Sequence, residues 1–242
     1  MTSLLPSKWN RTISQGNYNL ENKFGFSGDI DNIAHEDIWT FGDGNLVYLD
    51  QAEILNLVSS NAQDTATNGN GARTVTLIGL DADWKLQTEV ISLNGETQVP
   101  TTKSFIRLYR MFVDTVGTIG WNAGEITAVS VTTLKAQAQI PATFGQTQMT
   151  HYTVPVGKEA YIVDWHATCG RGEDIEFRLM TREPGKSWRA RRTMLLYQTA
   201  WSVNIGVSLG EKTDVRVQAK TVSGANRPGA SSYELIVADI VN

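Results

Sequence analysis

The chain of 242 residues has a single cysteine, Cys169, and no excess of positive charge. One thiol cannot form an internal disulfide, which excludes the small secreted domains that are held together by disulfides. There are 21 Lys and Arg against 25 Asp and Glu, so the net charge is −4. Dedicated nucleic-acid binders draw much of their affinity from a cationic surface, and we therefore expect no nucleic-acid partner.

Long apolar runs are also missing. The first residues lack the apolar core of a signal peptide, and no later stretch approaches the roughly 18 apolar residues of a transmembrane helix. We expect a protein that is not exported by a signal peptide and that has no membrane partner.

No segment of ten or more residues shows the apolar period of an amphipathic helix, so a parallel βαβ sheet is not expected. What is present instead is a series of strand-length segments separated by turn residues, at a spacing of roughly 8–12 residues. This pattern predicts an all-β protein built of antiparallel β-sandwich modules, jelly-roll-like, with an extended N-terminal arm.

Changes in composition along the chain predict its division. Residues 1–45 mix aromatic side chains with Asn, Gly, Ser and Asp and show no regular period, which indicates an extended arm. Residues 46–134 form a first strand series. Residues 135–148 contain one charge, one proline and one glycine and are predicted to be a linker, and residues 149–242 form a second strand series.

The aromatic side chains of the arm have two interpretations that the sequence does not separate. Disordered segments are poor in aromatic residues, so the arm is expected to dock on something. It either binds a neighbouring subunit or wraps around its own domain. The aromatic residues in question are Trp9, Tyr18, Phe24, Phe26, Trp39 and Phe41.

Two local patterns predict strand pairing and strand faces. Asn94-Gly95 suits a type I′ turn, so residues 90–93 and 96–99 are predicted to pair as a hairpin. Residues 215–220 alternate between apolar and polar side chains, which places one face of that strand in a core and the other in water.

Catalytic patterns are weak. Asp164 and His166 would share one strand face about 7 Å apart, and Cys169 follows in a turn. A nucleophilic mechanism needs a Ser or Cys next to a His that a carboxylate orients. The favoured interpretation is that Asp164 and His166 are ordinary polar residues on an exposed strand face. The carboxylates of Glu173, Asp174 and Glu176 suggest acid/base work on a polysaccharide, yet their alternation with apolar residues is typical of a solvent face.

The acidic loop of residues 29–37 offers oxygen ligands that could hold Ca²⁺. It lacks the glycine at position six and the glutamate at position twelve of an EF-hand, so a solvated loop is the favoured interpretation. The three histidines have no close ligand-like spacing for zinc. We predict no catalytic residue, no metal and no cofactor, and hence no enzyme.

The densest charge run is basic and lies around Trp188, Arg189 and Arg191. Residues 1–135 carry a net charge of −6 and residues 136–242 a net charge of +2. The basic run is therefore suited to the acidic half of a neighbouring copy, to phosphate or to sialic-acid-like sugars, or it is a solvated strand edge.

One further comparison covers most of the chain and is carried by residues 22–25, 36–39, 71–84, 91–95, 101–107, 139–142 and 152–158, together with Ala160 and Tyr161. In these residues the chain resembles a family of virion proteins of tailed bacteriophages that are common in marine and cyanobacterial phages. The resemblance implies a structural component of the virion and brings no catalytic residues.

These observations predict a capsid decoration or stabilising protein that forms homo-oligomers in a virion assembled in the host cytoplasm. It would bind the major capsid protein or neighbouring structural subunits through its arm and one sandwich face. The alternative is a receptor- or glycan-binding module of a tail or fibre, and a polysaccharide-degrading enzyme ranks third. The predicted interface residues are Trp9, Tyr18, Phe24, Phe26, Trp39, Trp188, Arg189 and Arg191.

Overall fold

The structure is a computed structural model that describes residues 9, 16, 18–41, 44–170, 174–197, 200–224 and 226–240. From residue 18 onward, the described part of the chain contains strands and turns and no helix. The strands are β1 (Asn19–Ile30), β2 (Glu36–Asp37), β3 (Leu55–Ser59), β4 (Ala72–Leu80), β5 (Leu86–Ser92), β6 (Val99–Pro100), β7 (Arg107–Val116), β8 (Ile126–Ser130), β9 (Ala136–Ile140), β10 (Tyr152–Thr153), β11 (Lys158–Cys169), β12 (Asp174–Arg182), β13 (Arg189–Tyr197), β14 (Ala200–Leu209), β15 (Asp214–Thr221) and β16 (Arg227–Asp239).

The chain forms two compact units, and the second is inserted into the first. Unit 1 comprises residues 1–38 and 150–242, and unit 2 comprises residues 39–149. These boundaries differ from the division at 45, 134 and 148 that composition predicts. The difference arises because β1, within the predicted arm, pairs over most of its length with the last strand, β16, and because β9 occupies residues 136–140 of the predicted linker.

The described residues of unit 1 form two antiparallel sheets. The first has the strand order β1-β16-β11-β14. The second has the order β10-β15-β12-β13, and the short strand β2 pairs with β15. Every pairing in both sheets is antiparallel, which confirms the all-β, antiparallel part of the predicted fold. The jelly-roll-like connectivity stays a prediction.

Strands β12 and β15 show how the sequence decides which face of a sheet is buried. Burial alternates strictly along β12, and Phe177 is fully buried. In β15, Val215, Val217 and Ala219 are fully buried, as their alternation predicts. Gly229 of β16 has no room for a side chain, because a Cβ there would lie 2.6 Å from Ile30 Cδ1 and 3.1 Å from Phe177 Cζ. The inner faces of the two sheets are therefore in direct contact at this point.

Unit 2 also contains two antiparallel sheets, with strand orders β6-β3-β8-β9 and β5-β4-β7. One apolar cluster connects them. Its fully buried members come from both sheets, so their burial stabilises the packing of one sheet on the other. They are Leu55, Leu57, Ala72, Val75, Leu77, Phe105, Met111, Ile126, Ala128, Ala138 and Ile140.

The prediction that residues 90–93 and 96–99 pair as a hairpin at Asn94-Gly95 is wrong. Strand β5 pairs with β4, and the residues after the turn cross to the other sheet, where β6 pairs with β3. A turn does form, since the Thr97 amide donates to the Asn94 carbonyl and Gly95 has a φ of +57°. Hydrogen bonds to distant parts of the chain hold Gly95 and prevent the pairing of residues 90–93 with 96–99. The Gly95 amide donates to the Asp64 carbonyl, and the Gly95 carbonyl accepts the Ser59 amide proton.

The buried carboxylate of Asp64 holds three segments of unit 2 together. Its Oδ1 accepts the amide protons of Ala72 and Ala123, both at 2.7 Å. Its Oδ2 accepts the Ser59 hydroxyl at 2.6 Å and the Gly124 amide at 2.8 Å. Asp64 is fully buried, so all four donors would lack a partner without it.

We expect Asp64→Asn to lower the free energy of unfolding by about 2–4 kcal/mol, because one carboxylate oxygen becomes an NH₂ group that faces two donors. The measurement is urea unfolding followed by circular dichroism. Asp83→Asn is the matched control, because Asp83 is exposed and its ion pair with Lys85 at 3.5 Å is a surface pair of small stabilising effect. Equal effects of the two substitutions would contradict the role of Asp64.

Candidate functional site

A buried charged cluster lies where the chain leaves unit 1 and returns to it. Asp37 and His151 are almost fully buried, and His151 Nε2 donates to Asp37 Oδ2 at 2.8 Å. Arg216 Nη1 lies 3.1 Å from Asp37 Oδ1. The Ile38 carbonyl accepts the Thr150 amide, so the two crossing segments are also joined by their backbones. This cluster joins the segment before unit 2 and the segment after it to β15.

The basic run is largely engaged inside unit 1. Arg182 donates from Nε and Nη2 to Asp214 Oδ2 at 3.0 and 2.6 Å. Asp214 is buried and also accepts the Thr153 hydroxyl at 2.7 Å. The Trp188 ring lies under two guanidinium groups, with Arg182 Cζ 4.7 Å and Arg216 Cζ 4.0 Å from its centroid. These cation–π contacts make Trp188 part of a structural network.

Arg189 and Arg191 remain closer to solvent. Both approach Glu183 Oε1, at 3.7 and 3.9 Å. Arg191 Nε also donates to the Thr181 hydroxyl at 2.9 Å. These loose, partly exposed ion pairs contribute little stability, so the two guanidinium groups retain donor capacity toward solvent.

The predicted arm provides core side chains. Trp9 is only 2% exposed, and its ring lies 5.4 Å from that of Tyr161, next to Ile236 and Ala238. Tyr18 packs against the same group. In the single chain, this end of the arm therefore lies on its own unit, which is one of the two interpretations that the sequence left open.

The remaining aromatic residues of the predicted interface are divided between the two units. Phe24 and Phe26 are half-buried on β1 in unit 1. Trp39 is 4% exposed within the core of unit 2, where its Nε1 donates to the Gly44 carbonyl at 3.2 Å. Trp9 and Trp39 are therefore buried rather than exposed, and the role of the eight predicted residues as an interface stays a prediction.

An apolar strand edge that sequence analysis did not single out lies at the end of β13 and the start of β14. We call Leu195, Tyr197 and Trp201 the β13–β14 edge; their side chains are 44%, 58% and 57% exposed. β13 is the outer strand of one sheet and β14 the outer strand of the other. Exposed apolar side chains on edge strands are typical of surfaces that bind another chain.

A polar cleft lies on the outward face of the second sheet of unit 1. His35 Nε2 donates to Glu176 Oε1 at 3.1 Å, and Arg178 Nε donates to the same oxygen at 2.5 Å. Lys220 lies directly opposite Glu176 on β15. Alternation along β12 and β15 places Glu176, Arg178 and Lys220 on the outward face. The sequence does not reveal that the two strands are neighbours.

Burial lowers the pKa of His35 below its ordinary 6.5, and the charges of Arg178 and Lys220 lower it further against the opposing effect of Glu176. For Glu176, burial raises the pKa, but the hydrogen bonds from Arg178 and His35 outweigh this effect and bring the pKa below 4.5. At neutral pH the pair is therefore a neutral imidazole and a carboxylate.

The other predicted sites appear as follows. Asp164 and His166 do share a face of β11, with Oδ1 and Nε2 3.4 Å apart. In the acidic loop, Asp31 Oδ1 accepts the backbone amides of Ile33 and Ala34, so that carboxylate is used to shape the loop. Within the described residues, no group of three or more His, Cys, Asp or Glu side chains is arranged to hold a metal ion.

Comparisons with known proteins give no family. No protein-family model matches the chain, and no curated protein matches it. Among the described residues, no helix is long and apolar enough to span a membrane. The resemblance to virion proteins of tailed phages therefore stays a prediction.

The chain is similar at a low level to solved structures of infectious bursal disease virus. For the Gx strain, the identity is 6%, the match covers 93% of this chain and 77% of that one, and the TM-score is 0.24. For a subviral particle of the VP2 protein of that virus, the identity is 9%, the match covers 92% of this chain and 72% of that one, and the TM-score is 0.26. TM-scores this low carry no argument about the role of this chain, which has to be inferred from its own surfaces.

We expect Trp9→Ala to lower the free energy of unfolding by about 3 kcal/mol, because it removes a buried indole from its contact with Tyr161. The loss should be independent of protein concentration. Trp201→Ala is the control, since its ring is exposed and its removal should change stability by less than about 0.5 kcal/mol. A loss that appears only at concentrations where the protein is oligomeric would instead place the Trp9 contact between neighbouring copies.

We expect the lowered pKa of His35 to make stability fall as the pH drops below 6.5. The unfolded chain takes up the proton at about that pH, whereas the folded chain resists it, so acid favours unfolding. Urea unfolding at pH values from 7.5 to 5.0 should show a smaller decrease for His35→Gln, which keeps a donor for Glu176. The same decrease in both proteins would contradict the assignment.

Proposed function

We propose that this chain is a structural protein of a virion, of the tailed-phage kind that its sequence resembles. It acts as a capsid decoration or stabilising protein that binds neighbouring structural subunits and performs no catalysis. The observation that carries the proposal is the β13–β14 edge, where Leu195, Tyr197 and Trp201 expose apolar surface on the outer strands of two sheets. Such a surface is stabilised when another chain covers it.

The stabilising contacts within each unit support the same role. Buried carboxylates such as Asp64 and Asp214 fasten loops and strands together, which suits a part that must keep its shape in an assembly. The arm interface of the sequence-based hypothesis changes in this proposal. Because Trp9 and Trp39 are already buried within the single chain, the strand edge takes the place of the arm as the main binding surface.

The alternative, a glycan-binding module of a tail or fibre that uses Trp188 and Arg189, has less support. A sugar would have to stack on an indole ring that already contacts Arg182 and Arg216. A glycan array with the isolated protein tests this alternative, which would be supported by binding that Arg189→Ala abolishes.

The test changes the edge in a virus that carries this gene. With Leu195, Tyr197 and Trp201 all replaced by Ser, we expect the amount of the protein in purified particles to fall at least tenfold, measured by quantitative mass spectrometry, with head and tail fractions analysed separately. Ile33→Ser is the matched control, because Ile33 is 81% exposed but lies on a loop rather than on a strand edge. Absence of the unaltered protein from particles would refute the virion role, and unchanged incorporation of the triple variant would refute the role of the edge.

A further inference from the structure

The polar cleft of unit 1 has the dimensions of a small-molecule site. It is an open depression of about 350 Å³, within the range of ordinary ligand pockets. Strands β12 and β15 form its floor, and the loop before β2 forms one wall. Its lining residues are Asn32, His35, Glu176, Arg178, Lys220, Thr221 and Val222.

Several polar groups of the cleft keep unused hydrogen-bonding capacity. Among the described residues, the Lys220 ammonium contacts no protein acceptor. Arg178 uses only its Nε for Glu176, so within the same described residues its terminal nitrogens also contact no acceptor. Glu176 Oε2 likewise receives no donor, since both of its partners bind Oε1. The cleft therefore presents two cationic donors beside an open carboxylate oxygen.

The imidazole of His35 supplies a further acceptor. A carboxylate can only accept, so the proton of the neutral ring lies on Nε2, which donates to Glu176 at 3.1 Å. The lone pair then lies on Nδ1, for which the described residues provide no donor. Two acceptors, His35 Nδ1 and Glu176 Oε2, accompany the two cations.

The charge of the cleft favours a monoanion. Arg178 and Lys220 are positive, Glu176 is negative and His35 is neutral, which leaves one net positive charge. A carboxylate group compensates that charge and matches the planar edge of a guanidinium group. A phosphate dianion would instead place an uncompensated negative charge beside Glu176.

We propose that this cleft binds an acidic sugar, a saccharide unit with one carboxylate. The carboxylate lies between Arg178 and Lys220, and ring hydroxyl groups donate to Glu176 and His35. Asn32 is exposed at the rim, and the apolar Val222 offers a surface to the face of the sugar ring. A simple carboxylate would leave both acceptors unused, which is why a hydroxyl-bearing ligand fits the cleft better. The inference goes beyond the proposed structural role.

The test is a titration of the full-length, ¹⁵N-labelled protein with glucuronate, followed by NMR, which detects dissociation constants in the millimolar range. We expect saturable shifts of the amide signals of residues in β12 and β15. Lys220→Met should weaken binding about tenfold or more through loss of a charged hydrogen bond. Lys186→Met is the matched control, since Lys186 is exposed on the turn between β12 and β13, and it should bind like the unaltered protein.

Glucose and inorganic phosphate complete the experiment. Glucose lacks the carboxylate and phosphate lacks the ring hydroxyl groups, so both should bind at least tenfold more weakly than glucuronate. The proposal is overturned if glucuronate produces no saturable shifts, if glucose or phosphate binds as tightly, or if Lys220→Met and Lys186→Met behave alike. The spectrum of each free variant shows directly that it is folded, so a loss of binding cannot be attributed to unfolding.

Discussion

Buried backbone amides that need an acceptor are the constraint on which this structure depends. An all-β unit with two sheets must carry its chain repeatedly from one sheet to the other, and the connecting segments contain N–H groups outside any strand ladder. In unit 2, carboxylates supply the acceptors. Asp64 binds three amides and a hydroxyl, Glu53 binds the amides of residues 132 and 133, and Glu89 binds those of residues 102 and 103. Part of the acidic character of unit 2 is therefore structural.

In unit 1, two buried carboxylates are paired with arginine side chains instead. Asp37 binds His151 and Arg216, and Asp214 binds Arg182. A buried charge is tolerated only when it is paired and hydrogen-bonded, so these contacts fix the positions of the strands that carry them. As a result, part of the basic run is no longer available to a partner. Surfaces for binding must be sought where side chains keep unused capacity.

Two such surfaces adjoin each other on the second sheet of unit 1. In the strand register, Glu176 of the polar cleft lies opposite Leu195 of the β13–β14 edge. One surface is apolar and suited to a protein subunit, and the other is polar, concave and suited to a small anion. A subunit bound at the edge would therefore lie beside the cleft.

The sequence by itself determined the all-β class and the buried faces of strands such as β15, because a period of two is a local property of the chain. It also indicated a docked aromatic arm. The tertiary structure decided where Trp9 docks, which strand follows Asn94-Gly95, and that Glu176 lies beside Lys220 and His35. These features depend on pairing between residues far apart in the chain, such as β1 with β16, and no local pattern encodes which strand becomes a neighbour.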